Sequence, residues 1–217
     1  MKVVILAAGQ GTRLRPLTDN RPKCLVEVKG RSILDRQLDT MYTCGIRNSD
    51  ITIVAGYRGD VLQKKFSDTD INIIINENYE TTNMVCSLMC ARNLMEAQED
   101  ILISYGDIIY NDTVLRKVLE SDDEASVIVD DGWYSYWSKR CENPLDDAET
   151  LMFDEDDYLT EIGQKTTDLA KVQSQYIGLM RFRNSGLRAM LDLAQTAKER
   201  TAQGTALWRT TRSYQKM

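Results

Sequence analysis

The chain contains no histidine, and that one absence removes several chemistries at once. There can be no Ser-His-Asp or Cys-His triad, no HExxH zinc site and no kinase-type HRD loop. Proton transfer near neutral pH falls to a shifted carboxylate or lysine, or the reaction needs none. Proline is scarce at 3 residues, and no apolar run approaches the about 20 residues a membrane-spanning helix requires. Residues 1–8 are too short for a signal-peptide core and run directly into a glycine loop. A cytoplasmic protein with no membrane partner is the expectation. The cysteines are 5, an odd number, scattered and without a CxxC pair. Cys86 and Cys90 fall one helical turn apart, but with no histidine to join them, reduced thiols are expected rather than a metal site. Basic residues are outnumbered 27 to 33, giving a net charge of −6. That balance argues against nucleic acid or anionic membrane as a general partner, so any phosphate site must be a local basic cluster.

At 217 residues one domain is expected, with a core large enough to need no staples. Short apolar runs at 3–6, 51–54, 71–75, 101–104 and 126–129 read as buried strands. They alternate with stretches of helical period at 33–42, 61–66, 84–95 and 113–119. Such alternation predicts βαβ crossovers and a doubly wound, mostly parallel α/β sheet. After residue 130 the pattern changes. Residues 148–153 and 158–162 read as a hairpin across the acidic turn 154–157, a small lid at the strand C-terminal ends, and 175–182 as a further strand. Asn184 can cap a helix with apolar positions at Leu187, Met190, Leu191, Ala194 and Ala197. Leu207, Trp208 and Tyr214 are in helix-compatible spacing with no stop signal after them, which leaves a natural C-terminal continuation as an expectation.

The strongest chemical signal follows the first strand: Leu6-Ala7-Ala8-Gly9-Gln10-Gly11-Thr12-Arg13-Leu14-Arg15-Pro16-Leu17-Thr18, then Arg21-Pro22-Lys23-Cys24-Leu25. Glycines after a strand let backbone N–H groups approach an anion, and Arg13, Arg15 and Lys23 supply charge. A Walker A loop requires GK[ST], and Gly11 is followed by Thr-Arg; the dinucleotide fingerprint requires a small residue where Leu14 stands. A second signal is Ser104-Tyr105-Gly106-Asp107 at the end of a buried strand, where α/β sheets place ligands; a plain turn cap is the alternative role for Asp107. A third is the segment from Asn76 through Tyr79, Thr82, Asn83 and Ser87, which suits a helix N-cap, a base contact or both. The fourth is Trp133-Tyr134-Ser135-Tyr136-Trp137 with Lys139 and Arg140, followed by Asp146, Asp147 and Glu149. Aromatics rimmed by charge are expected to bind something rather than to be wholly buried.

The first segment resembles the signature of nucleotidylyltransferases with a Rossmann-like GT-A fold, LxxGxGxRLxPLTxxxPKxL. The third and fourth, together with Glu161-Ile162-Gly163-Gln164-Lys165 and Gln175-Tyr176-Ile177-Gly178, resemble bacterial cytidylyltransferases of the phosphocholine, 2-aminoethylphosphonate and phosphoglutamine type. That resemblance implies transfer of CMP from CTP to a small phosphorylated, amine-bearing acceptor, phosphoglutamine of capsule biosynthesis being the best match, with release of pyrophosphate. It implies catalytic roles for Arg13, Lys23 and Asp107, with Asp107 a ligand of Mg²⁺. Nucleotide contacts are implied for Leu6, Ala7, Ala8, Gly9, Gly11, Thr12, Tyr79, Thr82, Asn83, Ser87 and Gly106. Acceptor contacts are implied for Trp133, Tyr136, Trp137, Arg140, Glu149, Lys165 and Tyr176, in a lid insertion at about 131–175. A second metal carboxylate, near the C-terminus in such enzymes, has no match before residue 217. Arg181 and Arg183, with Arg140, Lys139 and the nearby acids, are expected to converge on a zwitterionic acceptor. A sugar-1-phosphate nucleotidylyltransferase and a non-catalytic nucleotide-binding domain remain as alternatives, and oligomeric state is open.

Overall fold

The computed structural model describes residues 1–202 and 215–216; the helix-compatible segment expected around Leu207, Trp208 and Tyr214 lies outside these. Its strands, in chain order, are β1 (Lys2–Ala7), β2 (Glu27–Val28), β3 (Arg31–Ser32), β4 (Ile51–Ala55), β5 (Asn72–Ile75), β6 (Asp100–Tyr105), β7 (Ala125–Asp130), β8 (Glu149–Phe153), β9 (Leu159–Lys165), β10 (Gln175–Arg183) and β11 (Gln215–Lys216). The helices are α1 (Ile33–Thr43), α2 (Gly59–Lys65), α3 (Met84–Cys90), α4 (Arg92–Glu96), α5 (Asp112–Glu120), α6 (Trp133–Trp137) and α7 (Asn184–Ala202). The central sheet runs β11-β7-β10-β6-β1-β4-β5, and every neighbouring pair is parallel except those of β10, which is antiparallel to both β6 and β7. The expected mostly parallel sheet is therefore present.

Strand alternation divides the core into two layers. On β1, Val3, Ile5 and Ala7 face one cluster with Leu34, Leu38 and Met41 of α1, Leu62 of α2 and Leu115 and Val118 of α5. Val4 faces the other, with Leu88 and Met89 of α3, Met95 of α4 and Leu187, Met190, Leu191 and Ala194 of α7. Because both faces are covered, the strands read as continuous apolar runs. Two helix starts have side-chain caps that the sequence advertises: Ser32 Oγ accepts from Asp35 N at 3.0 Å, and Asn111 Oδ1 from Val114 N at 3.0 Å.

The periodic stretch 84–95 is two helices rather than one. The chain turns at Ala91 (φ −94°, ψ 11°), where Ala91 N donates to Leu88 O. No glycine or proline marks the break; Ala91 is only 1% exposed, and its packing in the α7 layer decides it. Asn184 begins α7 with φ 44° and donates its N–H to Glu99 O at 2.9 Å. The hairpin forms as β8 and β9, and its acidic turn is organised by Asp154, whose Oδ1 accepts from Asp156 N and Tyr158 N. Leu151 and Leu159 pack it onto Val127 of β7. Among the described residues, no helix is long and apolar enough to cross a membrane.

Candidate active site

A cavity of about 430 Å³ opens at the C-terminal ends of β1 and β6. Its wall contains every residue expected to touch the nucleotide: Leu6, Ala7, Ala8, Gly9, Gly11, Thr12, Arg13, Lys23, Tyr79, Thr82, Asn83, Ser87 and Gly106, together with Asp107. Three separate chain segments thus meet at one place, which the crossover topology requires and residue spacing does not.

Each segment is held by specific contacts. Gly11 sits at φ 62°, and a Cβ there would lie 2.9 Å from Lys23 Cβ. Only glycine satisfies both the left-handed backbone and the close passage of the lysine stem. Thr18 Oγ1 donates to Gly11 O at 3.0 Å, and the Tyr57 hydroxyl donates to Thr18 O and Asp19 O, so the return of the loop is tied to the residues after β4. On the opposite wall, Asn76 is 4% exposed and its Nδ2 donates to Ser87 Oγ at 2.9 Å and Thr82 Oγ1 at 3.1 Å. Asn83 caps α3 by accepting from Cys86 N at 3.1 Å. The cap role is therefore real, and Asn83 also lines the cavity.

The charged pair of the site is Lys23 and Asp107. Lys23 Nζ lies 2.5 Å from Asp107 Oδ2, with side chains 36% and 35% exposed. They are 84 positions apart in sequence, and each gives the other a counter-charge that can be traded for a ligand's. Arg13 is exposed at the cavity mouth and forms no ion pair among the described residues. A lysine, an arginine and one carboxylate around a polar cavity suit an anion that brings its own divalent cation. Among the described residues no cluster of three or more His, Cys, Asp or Glu can cage a metal by itself. One carboxylate completed by phosphate oxygens and water is a donor set Mg²⁺ accepts.

Four wall residues escaped the sequence reading: Leu14, Cys24, Met84 and Tyr105. Burial pushes the Cys24 thiol up to about 12, so it is neutral packing material. Tyr105 is the informative one. Its ring packs edge-on to Tyr176 with centroids 5.6 Å apart. Gly178 at φ 91° makes room for it, since a Cβ there would be 2.6 Å from the Tyr105 ring. Burial raises the Tyr105 phenol, and the negative charges of Asp107 and Glu149 raise it further. The signal was present in Tyr105-Gly106-Asp107, but its meaning depends on a glycine 73 positions later (178 − 105).

None of the residues expected to contact the acceptor lines this cavity. Tyr136 is 55% exposed with Arg140 stacked 5.1 Å from its ring centroid, while Lys165 reaches Asp147 O at 3.4 Å. Glu149 is exposed on β8, and Tyr176 lies behind Tyr105. Two expectations are corrected. Trp133 is 2% exposed and packs with Trp137, Leu145, Ala148 and Val172, so it is the centre of a small core of its own and presents no face to a ligand. Arg181 does not converge with Arg140. It forms a two-pronged bridge to Asp100 at 2.9 and 2.8 Å and donates to Val118 O, Leu119 O and Ser121 O, while Arg183 donates to Ser121 O. Asp100 opens β6 and Tyr105 closes it, so both arginines serve the far end of the sheet.

A mostly parallel doubly wound sheet with a glycine loop, an arginine-lysine pair and a strand-end aspartate in one cavity defines a nucleotide-binding transferase of the Rossmann-like class. The chain belongs to the family of MobA-like NTP transferase domains, whose family model matches residues 3–169. It is 41% identical over 187 residues to the CTP:phosphoglutamine cytidylyltransferase of Campylobacter jejuni, covering 84% of this chain and 73% of that protein. It is 31% identical over 139 residues to a UTP–glucose-1-phosphate uridylyltransferase of Haloferax volcanii, covering 61% and 56%. The solved CTP:phosphocholine cytidylyltransferase of Streptococcus pneumoniae superposes with a TM-score of 0.64 at 20% identity, over 94% of this chain and 78% of that one. That likeness carries the fold.

Proposed function

We propose that this chain is a CTP-dependent cytidylyltransferase that transfers CMP to a small phosphorylated, amine-bearing acceptor, with phosphoglutamine as the first candidate. The observation that carries the proposal is the Lys23–Asp107 pair inside a cavity walled by the glycine loop. The 41% identity to a phosphoglutamine enzyme supports the choice of acceptor.

In this reaction an acceptor phosphoryl oxygen attacks the α-phosphorus of CTP. A new P–O bond forms, the α–β P–O bond breaks, and its electron pair leaves with pyrophosphate. The acceptor phosphoryl group has a second pKa of about 6 and is largely dianionic at pH 7, so no general base is needed. A histidine-free chain can therefore run it, by positioning and charge neutralisation. Backbone N–H groups of the Ala8–Gly11 turn hold phosphate oxygens, Arg13 meets the leaving pyrophosphate, and Lys23 exchanges Asp107 for the α-phosphate. Thr82 and Ser87, braced by Asn76, and Asn83 at the start of α3 meet the base and ribose. Asp107 would hold a Mg²⁺, which supplies charge neutralisation at the triphosphate when bound.

Residues 131–175 form the acceptor-binding insertion of one nucleotidyltransferase domain. In it Tyr136, Trp137 and Arg140 face the acceptor, with Glu149 and Lys165 paired across the β8–β9 hairpin and Tyr176 packed against Tyr105. An odd number of scattered cysteines suits a reducing cytoplasm. The test is kcat/KM for phosphoglutamine, phosphocholine and 2-aminoethylphosphonate, with Arg140→Ala alongside. Preference for phosphoglutamine, reduced by Arg140→Ala, supports the assignment; preference for phosphocholine untouched by that substitution overturns it. The uridylyltransferase relative favours one rival, a sugar-1-phosphate enzyme, which turnover of UTP with a sugar phosphate would reveal.

A further inference from the structure

Behind the aspartate turn lies a buried amide that the transfer reaction does not itself use. Gln37, on α1, is 0% exposed. Its Nε2 donates to Tyr105 O at 2.8 Å and to Ile108 O at 2.6 Å. These two carbonyls bracket Gly106 and Asp107, so one side-chain nitrogen spans the turn that presents the carboxylate. The turn is also tied to β1 by Gly106 N donating to Leu6 O at 2.8 Å, and Ser104 Oγ donates to Tyr105 O at 3.3 Å. The Gln37 Oε1 atom is itself buried and has no partner among the described residues.

That imbalance is informative. Burying an amide is unfavourable unless both ends are satisfied, and a fully buried side chain with one orphaned atom calls for a reason. A leucine or methionine would fill the same core position with no unpaired oxygen. Ile108 O, however, would then lose the Gln37 amide, and Tyr105 O would keep only the longer 3.3 Å bond from Ser104 Oγ. Helix α1 also holds the lysine side of the site, because Ile33 N donates to Val26 O just after the Lys23–Leu25 turn. One helix thereby braces both members of the Lys23–Asp107 pair.

We infer that Gln37 is a positioning residue: its amide clamps the Tyr105–Ile108 turn and fixes where Asp107 points. The inference rests on the assignment of Asp107 to the nucleotide and metal site. Without the clamp the turn has more freedom, and the carboxylate spends less time where catalysis requires it. The loss therefore falls on turnover rather than on CTP affinity, which the glycine loop provides.

The test uses the full chain with Gln37→Met, which keeps the volume and removes both the clamp and the orphaned oxygen. Gln37→Asn, which withdraws the amide by one methylene, is read instead if the methionine variant does not fold. The expected result is amide hydrogen exchange at Gly106 at least tenfold faster, with Ile53 in β4 unchanged. With it, kcat falls at least tenfold while KM for CTP stays within threefold. Leu38→Val loosens the same helix without touching the turn, and should lower the melting temperature while keeping kcat within twofold. Unchanged exchange at Gly106, or unchanged kcat in a chain that Asp107→Asn inactivates, overturns the inference and spares the proposed function. Wild-type turnover in Asp107→Asn overturns the assignment of Asp107 instead, and the catalytic half of the inference with it.

Discussion

Replacing Lys23 by alanine separates catalysis from stability more sharply than any other single change. In the folded chain Lys23 Nζ is 2.5 Å from Asp107 Oδ2, and both side chains are about a third exposed at 36% and 35%. An ion pair so open to solvent contributes roughly 0–1 kcal/mol to folding. For a chain of this size that is a change in melting temperature of less than about 4 °C. In the transfer reaction the same ammonium faces charge developing on a phosphoryl group inside a cavity. Loss of such a contact costs about 2–4 kcal/mol in the transition state, a fall of roughly 30- to 900-fold in kcat/KM for CTP. The assay is pyrophosphate release over a CTP series, corrected for folded fraction, beside a thermal melt. A large drop in melting temperature with unchanged kinetics per folded molecule would show that Lys23 is structural.

Asp107→Asn should lower kcat by at least about 100-fold, with a melting temperature close to wild type; circular dichroism and initial rates check it. Gly178→Ala forces a Cβ to 2.6 Å from the Tyr105 ring at φ 91° and should destabilise by about 1–3 kcal/mol, read by urea unfolding. Arg181→Met removes the partner of Asp100 and the arginine donor of the Val118 and Leu119 carbonyls, while Ser121 O keeps Arg183, and should cost about 3 kcal/mol of stability. It should leave acceptor KM unchanged, whereas a raised acceptor KM would return Arg181 to the site. Stability should also decline on the alkaline side. Burial pushes the Cys24 thiol and the Tyr110 phenol up to about 12 from ordinary values of 9.0 and 10.0. Above pH 9 the unfolded chain loses these protons while the folded chain keeps them, so stability falls as pH rises. Melting temperatures between pH 8 and 11 check that slope, and Cys24→Ala should flatten its first part.

What the sequence made legible was whatever is local. The glycine loop lies within one stretch from Leu6 to Leu25, and its residue types report directly on backbone approach and phosphate charge. The strands are legible because both sheet faces are covered, so Val3–Ile5 and Ile101–Ile103 are apolar without interruption. What escaped depends on partners far along the chain. Tyr105 owes its place to Gly178, and Thr82 and Ser87 owe theirs to the buried Asn76 amide. The Ala91 turn has no local breaker, because the neighbouring helix sets it. The aromatic block misled for a related reason. Charges beside Trp133 suggest exposure, yet a five-residue helix can bury one face while Tyr134 and Tyr136 stay in solvent. Arg181 misled through strand direction: β10 runs antiparallel to β6, so its later residues pair with the start of β6 and away from the cavity.

The most direct test incubates the purified chain with α-labelled CTP, Mg²⁺ and phosphoglutamine, and follows both pyrophosphate and the label. The account predicts one pyrophosphate released per CMP joined to the acceptor, dependence on acceptor and metal, and loss of both signals in Lys23→Ala and Asp107→Asn. CTP binding with no pyrophosphate released, across all three phosphorylated amines and sugar 1-phosphates, would contradict it and leave a nucleotide-binding domain without transferase activity.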